Sequence, residues 1–593
     1  MLAEYGVGTA VIGGAAAAAG VLLIPPAIMS AVVVVGAVAA GYYAGKYYEY
    51  IFDELNRRGE IIGQTAYDIL NPYPINPDTN TDWSNGQNYV PPPPRRDPLV
   101  LDLNGNGLET VGINPLNPIL FDHDGDGIKQ STGWIAPSDG LLVMDRNGNG
   151  TIDNGRELFG DATLKSNGQL ATDGFDALAD MDSNHDGVVN ALDANFTNLK
   201  VWQDTNQDGI SQAGELFTLT QKGIASLSGR VAAQQPGTHR PTPCGCNQVA
   251  DLGSYTKTDG SLSTLGNVTG SLADVNLASN PFYSQFTDTI PLSAAVQTLP
   301  DMQGAGMVRD LRQAASLGNT QADQLTTTLA QFATGNYDTQ HSLLDTLIQH
   351  WSATSTFVTT AGGAYGARPL TINLEGVATG SAAYTAFMTK LTVLERFNGQ
   401  TFRAIPTDPT APVTITILAA QQALIDQSFK ALEQSVYDSL VIQTRLKPYL
   451  DAITLNLTAS GISTDVSGIN TALDTLSVTS FKDAFLDLVD LNRTSGKTLS
   501  PMGWGGAEKL IAWAAQAALD PTLLPVLQSM RTATQGGDWL IGSVGSDALS
   551  GLGGDDGVIG GAATTPCLVR RGTTRSTGVL EWTPFMAAWE TTL

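Results

Sequence analysis

Between Asp97 and Leu216 the chain repeats one short pattern five times: oxygen-bearing side chains at alternate positions, followed at once by glycine. The repeats are Asp102, Asn104, Asn106 and Gly107; Asp122, Asp124, Asp126 and Gly127; and Asp145, Asn147, Asn149 and Gly150. Two more follow: Asp182, Asn184, Asp186 and Gly187, then Asp204, Asn206, Asp208 and Gly209. The spacing suits a hard cation such as Ca²⁺, which takes about six to eight oxygens. Positions 1, 3 and 5 of such a loop supply side-chain oxygens, position 7 a carbonyl, and position 12 a closing carboxylate. Glycine at position 6 allows the sharp turn because it alone enters positive φ cheaply.

Loop five is complete, with Glu215 at the closing position. Loop four closes with the shorter Asp193, and loop three carries Asp153 and, one residue late, Glu157. Loops one and two have no acid at that position and must find one elsewhere or use water. A lone match would read as a surface Asx-turn. Five in so short a stretch argue for metal.

Charge supports this reading. The chain carries a net −26, and Asp97–Leu216 has 20 acidic against 5 basic residues. Carboxylates at that density repel one another until a cation arrives. No basic patch exists to neutralise phosphates, which excludes nucleic acid as a partner. Three cysteines in 593 residues cannot form a disulfide scaffold, so calcium would take the stabilising role.

Length predicts about three or four domains. Residues 1–70 form a hydrophobic helical hairpin region in which 5–45 hold no charged side chain and Pro25-Pro26 divides two segments. Membrane insertion through 5–45, a buried core hairpin and a permanent anchor compete as accounts of it. Residues 71–96 form a Pro-rich linker ending in four prolines and two arginines, a stiff spacer. The calcium-loop module spans 97–284, and 285–530 reads as mostly helical, with apolar residues at three- and four-residue spacings. Residues 531–563 repeat Asp538, Asp547 and Asp556 every nine residues among glycines, the pattern of a calcium-binding parallel β-roll. The tail 564–593 turns basic and non-repetitive, as truncation or a shifted frame would produce. The expected architecture is multidomain α+β: an EF-hand-like calcium-loop module, a largely α-helical middle region and a short C-terminal β-roll stub.

The segments DPLVLDLNGNGLETV, FDHDGDG, LLVMDRNGNGTIDNGRELFGD and LKVWQDTNQDGISQAGEL together resemble the self-processing module of FrpC-type iron-regulated proteins. These belong to the repeats-in-toxin group, exported by the type I route from Gram-negative bacteria. GSYTKTDG and RDLRQAA extend the resemblance, which covers roughly residues 97–560. It implies a secreted or surface protein in which calcium triggers cleavage of the Asp-Pro bond that opens the module. The new C-terminal aspartate can then join a lysine of another protein as an isopeptide. Asp97-Pro98 is the matching bond, which makes Asp97 and Pro98 the reacting residues. Attack by the Asp97 carboxylate on its own carbonyl would close a five-membered anhydride and release the Pro98 nitrogen. The dipeptide alone means little, since Asp408-Pro409 and Asp520-Pro521 also occur. A non-catalytic calcium-stabilised adhesin and a membrane-active toxin are the rival readings.

Overall fold

The computed structural model describes residues 95–114, 118–229, 247–262, 271–363, 369–401, 412–458 and 461–530, then five short strands between Trp539 and Thr577. Residues 5–45, the proline run, Asp408-Pro409, and Asp538, Asp547 and Asp556 lie outside the described residues.

The loop module is a curled antiparallel sheet. Its strands are β1 (Arg95–Arg96), β2 (Leu99–Leu101), β3 (Thr110–Val111), β4 (Ile119–Phe121), β5 (Ile128–Thr132), β6 (Trp134–Ile135) and β7 (Gly140–Val143). After them come β8 (Val188–Asn190), β9 (Lys200–Trp202), β10 (Leu216–Thr218), β11 (Ile224–Ser228), β12 (Gln248–Lys257) and β13 (Leu272–Phe286). The sheet runs β10-β9-β7-β2-β13-β12-β11-β8, with β1 and β5 also on β13 and β4 on β5. β3 and β6 pair separately.

This corrects the expected EF-hand-like module. Strands, not helices, lead into loops one, two, three and five. The short runs ahead of the loops, Leu-Val-Leu, Ile-Leu-Phe, Leu-Leu-Val and Lys-Val-Trp, apolar but for Lys200, are too short to nucleate a helix. They are long enough to pair as strands, and β2 and β7 bury both faces. Only loop four is approached by a helix, α1 (Gly174–Ala179), N-capped by Asp173.

Alternation along the strands builds two cores. Leu99, Leu101, Leu142, Val201 and Leu272 pack with Phe159, Phe175 and Tyr255 on one face. Val100, Leu141, Val143, Trp202 and Ala273 pack with Phe121 and Trp134 on the other. Trp134, Trp202 and Phe121 stand 5.4 to 5.7 Å apart, ring centre to ring centre.

Residues beyond 290 are mainly helical, with one core of their own. Asn319, Asn336 and Ser381 cap three of the long helices through their side chains. Inside this region Arg445 pairs with Asp487 and Asp490, Arg493 pairs with Asp438 and Asp490, and Tyr437 donates to Asp490 at 2.7 Å. His341 stacks on Tyr337 with ring centres 4.0 Å apart, a packed histidine. The amide of Gly306 donates to Phe282 in β13 at 2.9 Å and ties the helices to the sheet. Among the described residues no helix is long and apolar enough to cross a membrane.

Candidate metal loops and the Asp97-Pro98 bond

All five loops share one backbone conformation. The position-1 carboxylate accepts the position-6 glycine amide in each: Asp102 from Gly107, Asp122 from Gly127, Asp145 from Gly150, Asp182 from Gly187 and Asp204 from Gly209. Those glycines all have positive φ. Position 4 is left-handed as well. It is Gly105, Gly125 and Gly148 in the first three loops, and His185 (φ 60°) and Gln207 (φ 59°) in the last two. A side chain held there costs backbone energy, so the turn is set by the loop and not by the residue.

Three acids close their loops in the same manner. Glu157 accepts the amides of Arg146 at 3.1 Å and Asp153 at 2.8 Å. Asp193 accepts those of Ser183 and Asn190, each at 2.8 Å, and Glu215 those of Thr205 at 3.1 Å and Gln212 at 3.2 Å. Each acid bridges loop positions 2 and 9 and is buried. The extra residue before Glu157 is absorbed by a 3-10 turn over Gly155–Glu157. Asp153 faces Asn147 and Asn149 at 3.0 and 2.6 Å. Asn184 meets Asp186, and Asn206 meets Asp208. In loop one Asn106 reaches Glu109, and Asn104 accepts the Asn106 amide.

Loop two brings Asp122, Asp124 and Asp126 together, with carboxylate oxygens within 4.8 Å of one another. Burial and the neighbouring carboxylates push Asp126 up to about 6 and raise Asp122. The donor set throughout is oxygen, which fits a hard cation and gives a softer metal nothing to prefer.

The loops interlock. Gly155 of loop three donates to the Asp122 carbonyl of loop two at 2.7 Å. A side-chain carbon at Gly155 would fall 1.7 Å from the His123 carbonyl oxygen. The Ile152 amide of loop three donates to Ser211 Oγ of loop five at 2.6 Å, and Trp134 Nε1 donates to Asp204 at 2.8 Å.

Asp97 and Pro98 stand between β1 and β2. The proline spacer predicts an exposed bond, yet Pro98 is buried and Asp97 half-buried. β13 is the reason: Arg95 and Arg96 pair with Ala278 and Leu277, Leu99 pairs with Asp274, and the Pro98 carbonyl accepts the Val275 amide at 3.1 Å. The Asp97 carboxylate accepts the Asp161 amide at 2.8 Å. Gly160 leaves no room for a side chain, since its carbon would lie 2.6 Å from the Asp97 carbonyl oxygen. Burial and the Asp161 charge push Asp97 up to about 7.

Beside it lies a residue that no motif marks. Asp274 is 2% exposed, and one of its oxygens is buried without a hydrogen-bond partner among the described residues. Burial first, then Asp97, Asp173 and Asp251, push it up to about 8, so it keeps its proton at neutral pH. The only sequence signal is an acid within the mostly apolar run Leu-Ala-Asp-Val-Asn-Leu.

Residues 99–270 match the SPM domain family. The chain is 36% identical over 422 residues to Iron-regulated protein FrpA of Neisseria meningitidis serogroup C, an alignment covering 67% of this chain. It spans about a third of that protein's length, 35%. Over the aligned span the chain is FrpA-like.

Proposed function

We propose that this is a secreted, calcium-dependent self-cleaving protein, cut between Asp97 and Pro98. One observation carries the reading. The Asp-Pro bond is clamped on both sides by β13, with its carboxyl group held by the Asp161 amide next to a buried, protonated Asp274. The FrpA-like span and the SPM match, which begins one residue after Pro98, support it.

The chemistry needs no outside nucleophile. An Asp97 carboxylate oxygen bonds to the Asp97 carbonyl carbon and closes a five-membered anhydride. The bond from that carbon to the Pro98 nitrogen breaks, and the nitrogen takes a proton, a role this reading gives to the carboxyl group of Asp274, which pairs with Leu99 just after the bond. Water then opens the anhydride to a C-terminal Asp97, or a lysine amine opens it to an isopeptide. Holding the two groups in the attacking geometry is worth a very high effective molarity, on the order of 10⁵ M or more. The tertiary amide of proline resists twisting less than other peptide bonds. Calcium, when bound, neutralises the repelling loop carboxylates and so lets the sheet around the bond fold. Asp102, Asn104, Asn106, Asp122, Asp124, Asp126, Asp145, Asn147, Asn149, Asp182, Asn184, Asp186, Asp204, Asn206 and Asp208 would hold it, with Glu157, Asp193 and Glu215 closing three loops.

The test is to incubate the purified chain with calcium and weigh the products. Fragments of residues 1–97 and 98–593 are expected, and Asp97→Ala abolishes them while calcium-induced folding persists. An intact chain at saturating calcium would favour a non-catalytic, calcium-stabilised adhesin. Cutting of Asp97→Ala at the same place would point to a contaminating protease.

A further inference from the structure

Loop one has no acid at its twelfth position, which is Ile113. In the three closed loops the closing acid bridges two backbone amides, one at position 2 and one at position 9. A group standing in nearly the same relation to loop one comes from elsewhere in the chain. Asp139 Oδ2 accepts the amide of Glu109, position 8 of loop one, at 2.7 Å. The β3–β6 pairing delivers it: Thr110 lies opposite Ile135, and the Ala136 amide donates to the Glu109 carbonyl at 2.9 Å. The turn from Ala136 to Asp139 is thereby carried over the loop.

Asp139 is 0% exposed, and its second oxygen, Oδ1, is buried with no hydrogen bond of ordinary geometry among the described residues, while the Leu103 amide, position 2 of loop one, stands near the carboxylate. A buried carboxylate oxygen without a partner is costly unless a cation meets it. The titratable groups around it are Asp102, Glu109 and Tyr255, none of them basic. The Tyr255 hydroxyl is already committed to the Asp102 carbonyl at 2.8 Å.

We propose that Asp139 is the closing ligand of loop one, making Asp102, Asn104, Asn106 and Asp139 a complete oxygen site for a calcium ion. The acid is supplied across a strand pair and not from the loop's own end. This inference rests on the loops taking calcium and is independent of cleavage.

Equilibrium dialysis against calcium counts bound ions on the full chain, with Asp97→Ala keeping it intact. Asp139→Asn should lose one ion, because an amide can turn an oxygen to the Glu109 amide or to the ion but not to both. Glu215→Gln should lose a different ion, and the double variant both. If Asp139→Asn binds as many ions as its parent with unchanged affinity while Glu215→Gln loses one, the assignment of Asp139 is wrong and the metal reading stands. If the parent binds none, both fail. Should Asp139→Asn not fold, a crystal structure of the intact chain grown in calcium decides. An ion in loop one with Asp139 Oδ1 at about 2.3–2.6 Å is expected. A loop-one ion whose shell is closed by water or Glu109 overturns the assignment.

Discussion

Replacing Asp274 by asparagine should make the protein more stable and less active at once. The wild-type group holds its proton in the folded chain up to about 8, whereas in the unfolded chain it ionises near 3.8. The folded pKa is the raised one. Its contribution is therefore fully present below 3.8 and is lost as pH rises from there towards 8. Each pH unit in that window costs about 1.4 kcal/mol. At pH ~7 the penalty for burying the acid is on the order of 4 kcal/mol. Asparagine keeps the shape and an acceptor oxygen but has no proton to lose, so it escapes the penalty. Urea unfolding in calcium, in an Asp97→Asn background that leaves the bond uncut, would measure this. Burial, the largest cause of the shift, is untouched by that background. The stabilisation should be several kcal/mol at pH ~7 and close to zero at pH ~4. In the wild-type Asp97 background the same change should slow cleavage, because the leaving nitrogen loses its proton source. A stability difference that does not vary with pH would show that Asp274 is ionised in the folded chain. Unslowed cleavage would remove it from the reaction.

Two further outcomes test the frame around the bond. Gly155→Ala forces a side chain against the His123 backbone, where neither partner is a flexible tip. It should cost about 1–3 kcal/mol or more and raise the calcium concentration at which far-UV circular dichroism reports folding; an unchanged midpoint would separate loops two and three. Arg445→Met leaves buried Asp487 without its arginine and Asp490 with Arg493 alone, and should cost about 3–5 kcal/mol in thermal unfolding while leaving cleavage unchanged; a loss under 1 kcal/mol would mean the pair is solvated.

The loops were legible because their chemistry is local. Ligand spacing and the position-6 glycine follow from one ion's coordination, and every loop has the turn they require. Position 4 was partly legible, since three loops have glycine there, but His185 and Gln207 carry no such mark. The strands were hidden. A run such as Leu99–Leu101 is too short for any period to show, and calcium loops suggest helices by habit. Asp139 and Asp274 were missed for a different reason. Each matters because of what β-pairing places beside it, Glu109 for one and Leu99 for the other, and linear spacing holds no trace of that. The spacer misled in the same way: prolines imply a solvated bond, while Arg95 and Arg96 already form a strand paired with β13.

β13 has a consequence for timing. β1 and β2, on either side of the Asp97-Pro98 bond, both hydrogen-bond to it, and Asp274 and Val275 belong to it. A chain is made from its N-terminus, so the bond exists long before the strand that encloses it. Until residues 272–286 have emerged, Asp97 has neither its clamp nor its neighbouring acid, whatever the calcium concentration. If the bond is cut as proposed, the segment before it would stay joined to the rest throughout synthesis of the module. On the proposed cleavage, the last strand of the sheet would act as a clock, its arrival setting the earliest moment at which the two parts could separate.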